Sequence, residues 1–339
     1  MATLFFCFLA FMLAAYAVLD GYDLGTGILH LRLAGDDAER RQLLRTIGPL
    51  WDGNEVFLVA AGGTLFFAFP TLYATSFSGL YLPLIMVLWL LVLRGVSIDL
   101  RSHLGSPLWR TFFDAVFSLS SALLAFFLGV ALGNVVRGVP MGPGTTFFQP
   151  LWDLGPDPGI LDGYTVLVGA TALATLALQG AAWATYRTTG AVHDRARGHV
   201  QPLWIATGVL TAATTAATWA VQPRVPEAML GEPWRLVFPA AAVVAFVATP
   251  VLHRQHRHRG TFLATSAFIF AMVASAAAGL YPWMLPSSRG AQWSLAVHDV
   301  AAAEASLRVG AVWWPIGMAF ALGYTVFVHR RFSGRERAE

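Results

Sequence analysis

Nine long apolar runs, spaced along the whole chain, constrain the fold of this sequence more than any other feature. They cover roughly 2–24, 54–75, 78–99, 112–136, 163–186, 200–221, 235–252, 261–285 and 307–328. Such lengths are typical of membrane-spanning helices. Spans must be helices or a closed barrel, and continuous apolar runs exclude the barrel. We therefore predict an all-α polytopic membrane protein with about nine transmembrane helices, arranged as two helical bundles plus one extra helix.

The composition supports this class. Of the 339 residues, 56% are hydrophobic and only 12% are charged, about half the charged fraction of a soluble domain. The first apolar run follows no basic segment and precedes no small-residue cleavage site. We therefore expect a retained helix rather than a cleaved signal peptide.

The distribution of arginine predicts the orientation in the membrane. The chain has no lysine, and 17 of its 22 basic residues lie in the segments that follow the first, third, fifth, seventh and ninth runs. Basic segments stay in the cytoplasm, so the N-terminus is predicted outside and the C-terminus in the cytoplasm. These segments also account for the net charge of +3, and we infer no nucleic-acid partner.

One loop divides the predicted helices into two groups. Residues 137–162 form a non-cytoplasmic segment rich in Gly and Pro, which is typical of an ordered cap over the membrane. We predict a single integral membrane domain over 1–339. Residues 1–136 form the first helical bundle, and 163–339 form the second bundle and the last helix.

Carboxylates lie where two adjacent runs meet the membrane edge. Asp52 and Glu55 open the second run, in GPLWDGNEVFLVAAGGTLFFAFP, and Asp20 and Asp23 lie at the end of the first, in LDGYDLGTG. Acids at span ends are functional candidates, because the bilayer makes them costly unless they face protein or water. The alternative is that each one caps a helix. For the group as a whole, we favour a proton or ion route.

A third run contributes a charged pair. Arg94 and Asp99 close it, in LRGVSIDLR. Their charges can offset those of the nearby acids and lower the cost of burying them.

Potential metal or haem ligands are poorly placed. All nine histidines fall at predicted span ends or in loops, whereas a membrane haem normally needs His or Met ligands from helices that face it. The mid-span methionines are read as packing. HRQHRHR at 253–259 has spacing weakly compatible with a metal, but we favour a basic loop. We predict no metal site and no cofactor-binding residue on this chain.

Three segments together resemble subunit II of the cytochrome bd quinol oxidases: LDGYDLGTGILH, GPLWDGNEVFLVAAGGTLFFAFP and LRGVSIDLR. MLPSSRG at 284–290, followed by a Trp and His298–Asp299, is similar to the last non-cytoplasmic loop of that family. The resemblance is strongest in roughly the first 115 residues. Beyond them it rests mainly on hydropathy and helix count.

The resemblance implies a bacterial respiratory enzyme in the cytoplasmic membrane that oxidises quinol and reduces dioxygen to water. A partner, subunit I, would hold haem b, haem d and the quinol site. This chain would ligate no haem, and small accessory subunits could join the pair. Some members of the family bind a quinone in subunit II, but no motif in this sequence indicates where such a quinone would bind.

The resemblance also implies roles for single residues. Asp52 of WDGN and Asp23 of GYDLG match acids associated with proton delivery and stable assembly, and Asp99 and Arg94 match the polar end of the third span. The predicted proton path comprises Asp52, Asp23, Asp99, Glu55, Arg94 and Asp20, none of them directly catalytic. Phe57 stands where the family often has Trp, which argues against a role that needs an indole there.

Two other functions fit the same residues. The first is a stand-alone proton-coupled transporter, although such proteins often show repeats and a midplane site, while these acids gather near one face. The second is a purely structural membrane partner. Haem in the purified complex would separate the oxidase from the transporter, and acid substitutions would separate a proton path from scaffolding.

Overall fold

The chain is almost entirely helical. A computed structural model describes residues 1–153, 155 and 157–338, without the side chain of Thr145. Its helices are α1 (Ala2–Leu33), α2 (Asp37–Ile47), α3 (Trp51–Ala68), α4 (Pro70–Gly79), α5 (Tyr81–Leu100), α6 (Pro107–Arg137), α7 (Gly163–Arg187), α8 (Ala191–Val221), α9 (Arg224–Gly231), α10 (Val237–Arg254), α11 (His258–Leu280) and α12 (Glu304–Arg331). Strands β1 (Trp283–Leu285) and β2 (Leu295–Ala296) form an antiparallel pair.

The spans agree with the nine apolar runs. Among the described residues, eight helices are long and apolar enough to cross a membrane, and nine if α3 and α4 count as one broken span. The prediction of an all-α polytopic membrane protein is confirmed. The run predicted at 261–285 ends earlier, at Leu280, because its last residues form β1.

The second predicted span is not one straight helix. α3 and α4 meet at an angle of 118°. Phe69 separates them with a non-helical backbone (φ −138°, ψ 60°), as expected for a residue before proline, whose ring clashes with a helical neighbour. Pro70 then begins α4, where its missing N–H costs nothing.

α1 is longer than predicted, and this corrects the position of its acids. The expectation that Asp20 and Asp23 lie at the end of a span was wrong, because both lie inside one continuous helix. The glycines around them weaken a helix in isolation, but here they allow close packing. A Cβ on Gly25 would lie 2.0 Å from the backbone oxygen of Leu176 on α7, so tertiary packing overrides local propensity.

α1 is the central helix. It contacts α3, α6, α7 and α11, and α6 also packs on α7. α5 packs on α6, while α7 packs on α8 and α11, and α10 packs on α11. α12 lies against α1 and α3.

An ordered cap closes one end of the helices. Val139 donates its N–H to Pro286 at 3.0 Å, and Ser287 Oγ donates to the backbone oxygen of Met141 at 2.7 Å. Both Val139 and Met141 are fully buried, in one core cluster with α1, α3 and α12. The described residues of the predicted loop at 137–162 thus pack against the segment before α12.

Candidate functional site

A cluster of buried polar side chains lies where α1, α3 and α5 meet. We call Asp20, Asp23, Asn54, Glu55 and Arg94 the acid cluster. Four of them are at most 2% exposed, and the Glu55 side chain is 27% exposed. α1 contributes the two aspartates, α3 contributes Asn54 and Glu55, and α5 contributes Arg94. The structure therefore brings together residues that lie up to 74 positions apart.

One half of the acid cluster is a closed ion pair. Arg94 Nη1 donates to Asp20 Oδ2 at 2.7 Å, and Nη2 donates to the other carboxylate oxygen. This two-bond geometry is the strongest form of carboxylate recognition by arginine. Nη1 also lies 3.6 Å from Glu55 Oε1, so Arg94 links a buried carboxylate to a partly exposed one.

Asp23 is the open half of the acid cluster. Its Oδ2 accepts a hydrogen bond from Asn54 Nδ2 at 2.7 Å, while Oδ1 is buried without a hydrogen-bond partner. Among the residues that the structure describes, no cation lies within ion-pair distance of Asp23. A buried polar atom that stays unpartnered is costly and calls for an explanation. The free oxygen can hold a proton.

The amide nitrogen of Asn54 has more hydrogen-bond acceptors around it than it has hydrogens. Its Nδ2 lies 2.7 Å from Asp23 Oδ2, 2.7 Å from Tyr22 Oη and 3.2 Å from the backbone oxygen of Leu19. An amide nitrogen has two hydrogens, so three acceptors cannot all be served at once. The network can therefore change its hydrogen-bond pattern without moving its heavy atoms.

Asp52 lies on a different face of α3. Asn54, Phe57 and Ala61 are buried against α1, whereas Asp52 and Val59 are exposed. Asp52 and Glu55 are three positions apart on α3, so the two carboxylates are neighbours on the helix surface. Asp52 thus lies beside the acid cluster, on its solvent or lipid side, rather than inside it.

Helix capping does not account for the acids. Leu50 is the N-cap of α3, and no side chain caps this helix, while Asp20 and Asp23 lie within α1. Asp52 is in the first turn, where a negative charge interacts favourably with the helix dipole.

Asp99 stays apart from the acid cluster. It is exposed near the end of α5, and its backbone oxygen lies 3.0 Å from His103 Nδ1. Its role remains a prediction, as does that of Asp52.

The packing of α3 differs between Phe57 and the glycine pair Gly62–Gly63. Phe57 is only 1% exposed, within the core cluster that α1 and α3 share, so its ring serves packing. Gly62 and Gly63 have open space around them within this chain. Among the described residues, no other helix packs closely on these two glycines.

A second polar group, which the sequence analysis did not find, lies at the end of α1. We call it the arginine cluster; it comprises His30, Arg40, Arg101, Asp114 and Asp37. Asp114 accepts from Arg101 Nε at 2.6 Å and from Arg40 Nη1 at 3.1 Å, and its Oδ1 lies 2.6 Å from His30 Nε2. Arg101 also donates to Asp37 at 2.8 Å. Burial raises the pKa of Asp37, but the hydrogen bond and charge of Arg101 outweigh it and leave that pKa lowered.

Two potential haem ligands contact other side chains of this chain. The fully buried histidine His30 is bonded to Asp114, and Met12 accepts a hydrogen bond from Thr64 at 3.8 Å within the core. No group of three or more His, Cys, Asp or Glu residues with metal-binding geometry occurs among the described residues. In the segment 253–259, His256 Nε2 lies 3.2 Å from Arg197 Nη2.

Comparison with known proteins decides the family. Residues 1–332 match the family described as cytochrome bd terminal oxidase subunit II. The chain belongs to this family. Subunit II of this kind is known from several bacteria. A probable cytochrome oxidase subunit 2 of Haemophilus influenzae is 30% identical over 96% of this chain and 92% of its own length. Cytochrome bd ubiquinol oxidase subunit 2 of Bacillus subtilis is 29% identical over 98% and 96%.

The fold agrees with a solved structure. The bd oxidase of Geobacillus thermodenitrificans contains a chain that superposes on this one with a TM-score of 0.79, at 18% identity over 98% of both chains. Family and fold favour the oxidase subunit over a stand-alone transporter. They place this subunit II among the multi-pass proteins of the bacterial inner membrane, within a complex that has haem cofactors and a partner subunit.

The sequence analysis missed part of the site. Tyr22 lies within the motif GYDLG but gave no sign of its contact with Asn54. His329 lies near the end of α12, 307 residues from Tyr22, and its Nε2 is 3.0 Å from the tyrosine Oη. Neither the spacing nor the composition of the sequence indicates that α12 lies against α1 at this level.

Proposed function

We propose that this chain is the subunit of a quinol:oxygen oxidoreductase that delivers protons to the site of oxygen reduction. Its relative in Bacillus subtilis is named a cytochrome bd ubiquinol oxidase subunit. The observation that supports proton delivery is Asp23, a fully buried carboxyl group with one unpartnered oxygen. Oxygen reduction consumes protons, and centres in the membrane need polar groups to obtain them.

The potential haem ligands of this chain bear on which subunit holds the haems. We propose that haem b, haem d and the quinol site belong to the partner subunit I, and that small accessory subunits join the pair. On this chain, His30 is engaged by Asp114. The exposed apolar face of α3, with Val59 72% and Phe66 63% exposed, is available to the partner or to lipid.

The orientation is also part of the proposal. We place the N-terminus outside and the C-terminus in the cytoplasm, because most arginines lie on one side. The cap then faces outward, and residues 1–136 and 163–339 form the two bundles and the last helix of one membrane domain. The acid cluster lies nearer the cytoplasmic end of α1.

The proposed proton path has an exposed and a buried part. Asp52 and the partly exposed Glu55 take up protons at the start of α3. Arg94 holds Glu55 and Asp20 next to each other, and Asp23 with Asn54 forms the buried end. Asp99, at the end of α5, supports uptake through its negative charge near the surface.

Two substitutions test this path in the assembled enzyme. Asp23→Asn and Asp52→Asn keep the shape of each side chain and remove the titrating group. We expect both variants to assemble with normal haem spectra. Quinol-dependent oxygen consumption should fall by roughly a hundredfold or more for Asp23→Asn, the low end of the contribution of proton-transfer groups, and by less for the exposed Asp52.

Asp194→Asn is the matched control for Asp52→Asn. Asp194 is also an exposed acid in the first turn of a helix, α8, but it lies far from the acid cluster along the chain. It should retain full turnover. Full turnover of an assembled Asp23→Asn enzyme would reject the path, and loss of haem in that variant would show an assembly role instead.

A further inference from the structure

His329 is connected to the acid cluster through Tyr22. The histidine Nε2 is 3.0 Å from Tyr22 Oη, which in turn lies 2.7 Å from Asn54 Nδ2. The same nitrogen is 2.7 Å from Asp23 Oδ2. The imidazole is half-buried, whereas Tyr22 and Asp23 are buried. A row of polar groups therefore leads from a partly exposed histidine, near the end of α12, to the open carboxyl group.

The hydrogen-bond partners fix the direction of each bond. His329 Nδ1 is 2.8 Å from the backbone oxygen of Thr325, which can only accept, so Nδ1 carries a hydrogen. In the neutral ring Nε2 is then an acceptor, and Tyr22 donates its hydroxyl hydrogen to it. In the imidazolium both nitrogens donate. The tyrosine hydrogen must then turn away from His329, towards Asp23, because Asn54 Nδ2 is itself a donor to Tyr22 Oη.

The surroundings hold the tyrosine hydroxyl in place. The Tyr22 ring stacks on Trp183 with centroids 4.2 Å apart and meets the edge of Phe262 at 5.7 Å. The guanidinium group of Arg187 lies over the Trp183 ring, 4.9 Å from its centroid. Asn54 Nδ2 lies 2.7 Å from both Tyr22 Oη and Asp23 Oδ2, so these two oxygens are at most about 5.4 Å apart (2.7 Å plus 2.7 Å).

We propose that His329 takes up protons at the end of α12 and passes them through Tyr22 to Asp23. It is a second point of uptake, on a different helix from Asp52 and Glu55. This inference rests on the proposed function, because Asp23 is its acceptor. It assigns a proton-transfer role to α12, the helix that stands beside the two bundles.

Each transfer moves one proton. The imidazolium of His329 gives its Nε2 proton to Tyr22 Oη, while the tyrosine hydroxyl proton leaves for the Asp23 carboxylate, directly or across a water. One N–H bond and one O–H bond break, and an O–H bond forms on each of Tyr22 and Asp23. His329 is left neutral, and the new hydroxyl hydrogen of Tyr22 again points to Nε2.

Three variants of the assembled two-subunit oxidase test the inference. His329→Gln retains a polar side chain but does not titrate, and Tyr22→Phe retains the ring that stacks on Trp183. His329→Ala leaves space for added imidazole. His199→Gln is the matched control, because His199 Nδ1 makes the same backbone contact four residues back, at 2.8 Å, with no described hydroxyl on its other nitrogen.

We expect His329→Gln and Tyr22→Phe each to lower quinol-dependent turnover about threefold to tenfold with normal haem spectra. Together they should lower it no further, since they interrupt one route. Added imidazole should restore His329→Ala, which a purely structural role would not allow. His199→Gln should be unaffected.

The failure of this inference is distinguishable from the failure of the path itself. Normal turnover of His329→Gln, or an imidazole-insensitive loss in His329→Ala, would overturn the role of His329, and a low turnover of Asp23→Asn would leave the path through Asp23 standing. Normal turnover of Asp23→Asn would overturn both.

Discussion

The acid cluster and the arginine cluster both bury aspartates beside α1, yet they differ in how these aspartates are partnered. Asp114 receives bonds from Arg101 and Arg40 and contacts His30, so both of its oxygens are engaged. Asp23 has one neutral amide partner and one oxygen without any. The first arrangement fixes a charge, and the second leaves a carboxyl group free to exchange a proton.

The difference shows what buried charge is used for in this fold. Removing one member of a closed pair leaves an uncompensated charge and is strongly destabilising. Removing the charge of an open carboxyl group leaves no stranded cation. Stability should therefore depend on the closed pairs, in the arginine cluster and between Arg94 and Asp20, and turnover should depend on the open carboxyl group of Asp23.

The largest effect on stability is expected for Asp114→Asn. The substitution leaves Arg101, Arg40 and His30 without their shared anion, and losing one partner of a buried pair costs about 3–5 kcal/mol. Thermal denaturation of the purified complex should show a marked loss, whereas Asp23→Asn should denature close to the wild type. Equal losses in the two variants would remove the distinction between the clusters.

Arg94→Gln tests the closed half of the acid cluster. It strands Asp20 in a fully buried position, so we expect a loss of similar size, about 3 kcal/mol. Adding Asp20→Asn should recover much of it, because two neutral amides can bond to each other. Denaturation of the single and double variants measures the coupling, and strictly additive losses would contradict the pairing.

Acidification should weaken the outer part of the arginine cluster. The pKa of Asp37 is lowered in the fold, because Arg101 outweighs the effect of burial. A lowered pKa stabilises the fold above the ordinary value of about 4, and this contribution is lost as the pH falls through the lower, folded value. Thermal stability should thus decline below about pH 4 more steeply in the wild type than in Asp37→Asn. Parallel declines in the two proteins would contradict a stabilising role of the ionised Asp37.

The smallest effect is expected for Arg110→Gln. Arg110 donates to Asp37 at 2.9 Å, but both side chains are about one-third exposed, at 31% and 35%. Exposed ion pairs contribute little, so the denaturation midpoint should hardly move. A shift as large as that of Asp114→Asn would show that exposure does not rank these pairs.

The sequence predicted the helices better than the contacts between them. Apolar length located the spans, because backbone groups in a bilayer leave no alternative to helix. Asp20 and Asp23 were placed at the end of the first span, because only the packing of the neighbouring Gly25 against α7 shows why the helix continues past them. The break at Phe69 had a local signal in Pro70, which the long apolar run concealed.

The sequence predicted the site only in part, because the site also depends on contacts between helices. Acids at membrane depth are conspicuous, so Asp20, Asp23 and Glu55 were identified. The distinction between the exposed Asp52 and the buried Asp23 depends on which face of α3 meets α1. The contact of His329 with Tyr22 depends on where α12 returns. Neither is encoded in local pattern.

Proton uptake during a single turnover tests the central claim most directly. The fully reduced oxidase is mixed with oxygen, and a pH-indicator dye reports proton uptake while haem absorbance reports oxidation. With Asp23→Asn, we predict that haem spectra before mixing are normal and that proton uptake is slowed by roughly a hundredfold or more. Uptake at the wild-type rate in the assembled Asp23→Asn enzyme would contradict the account.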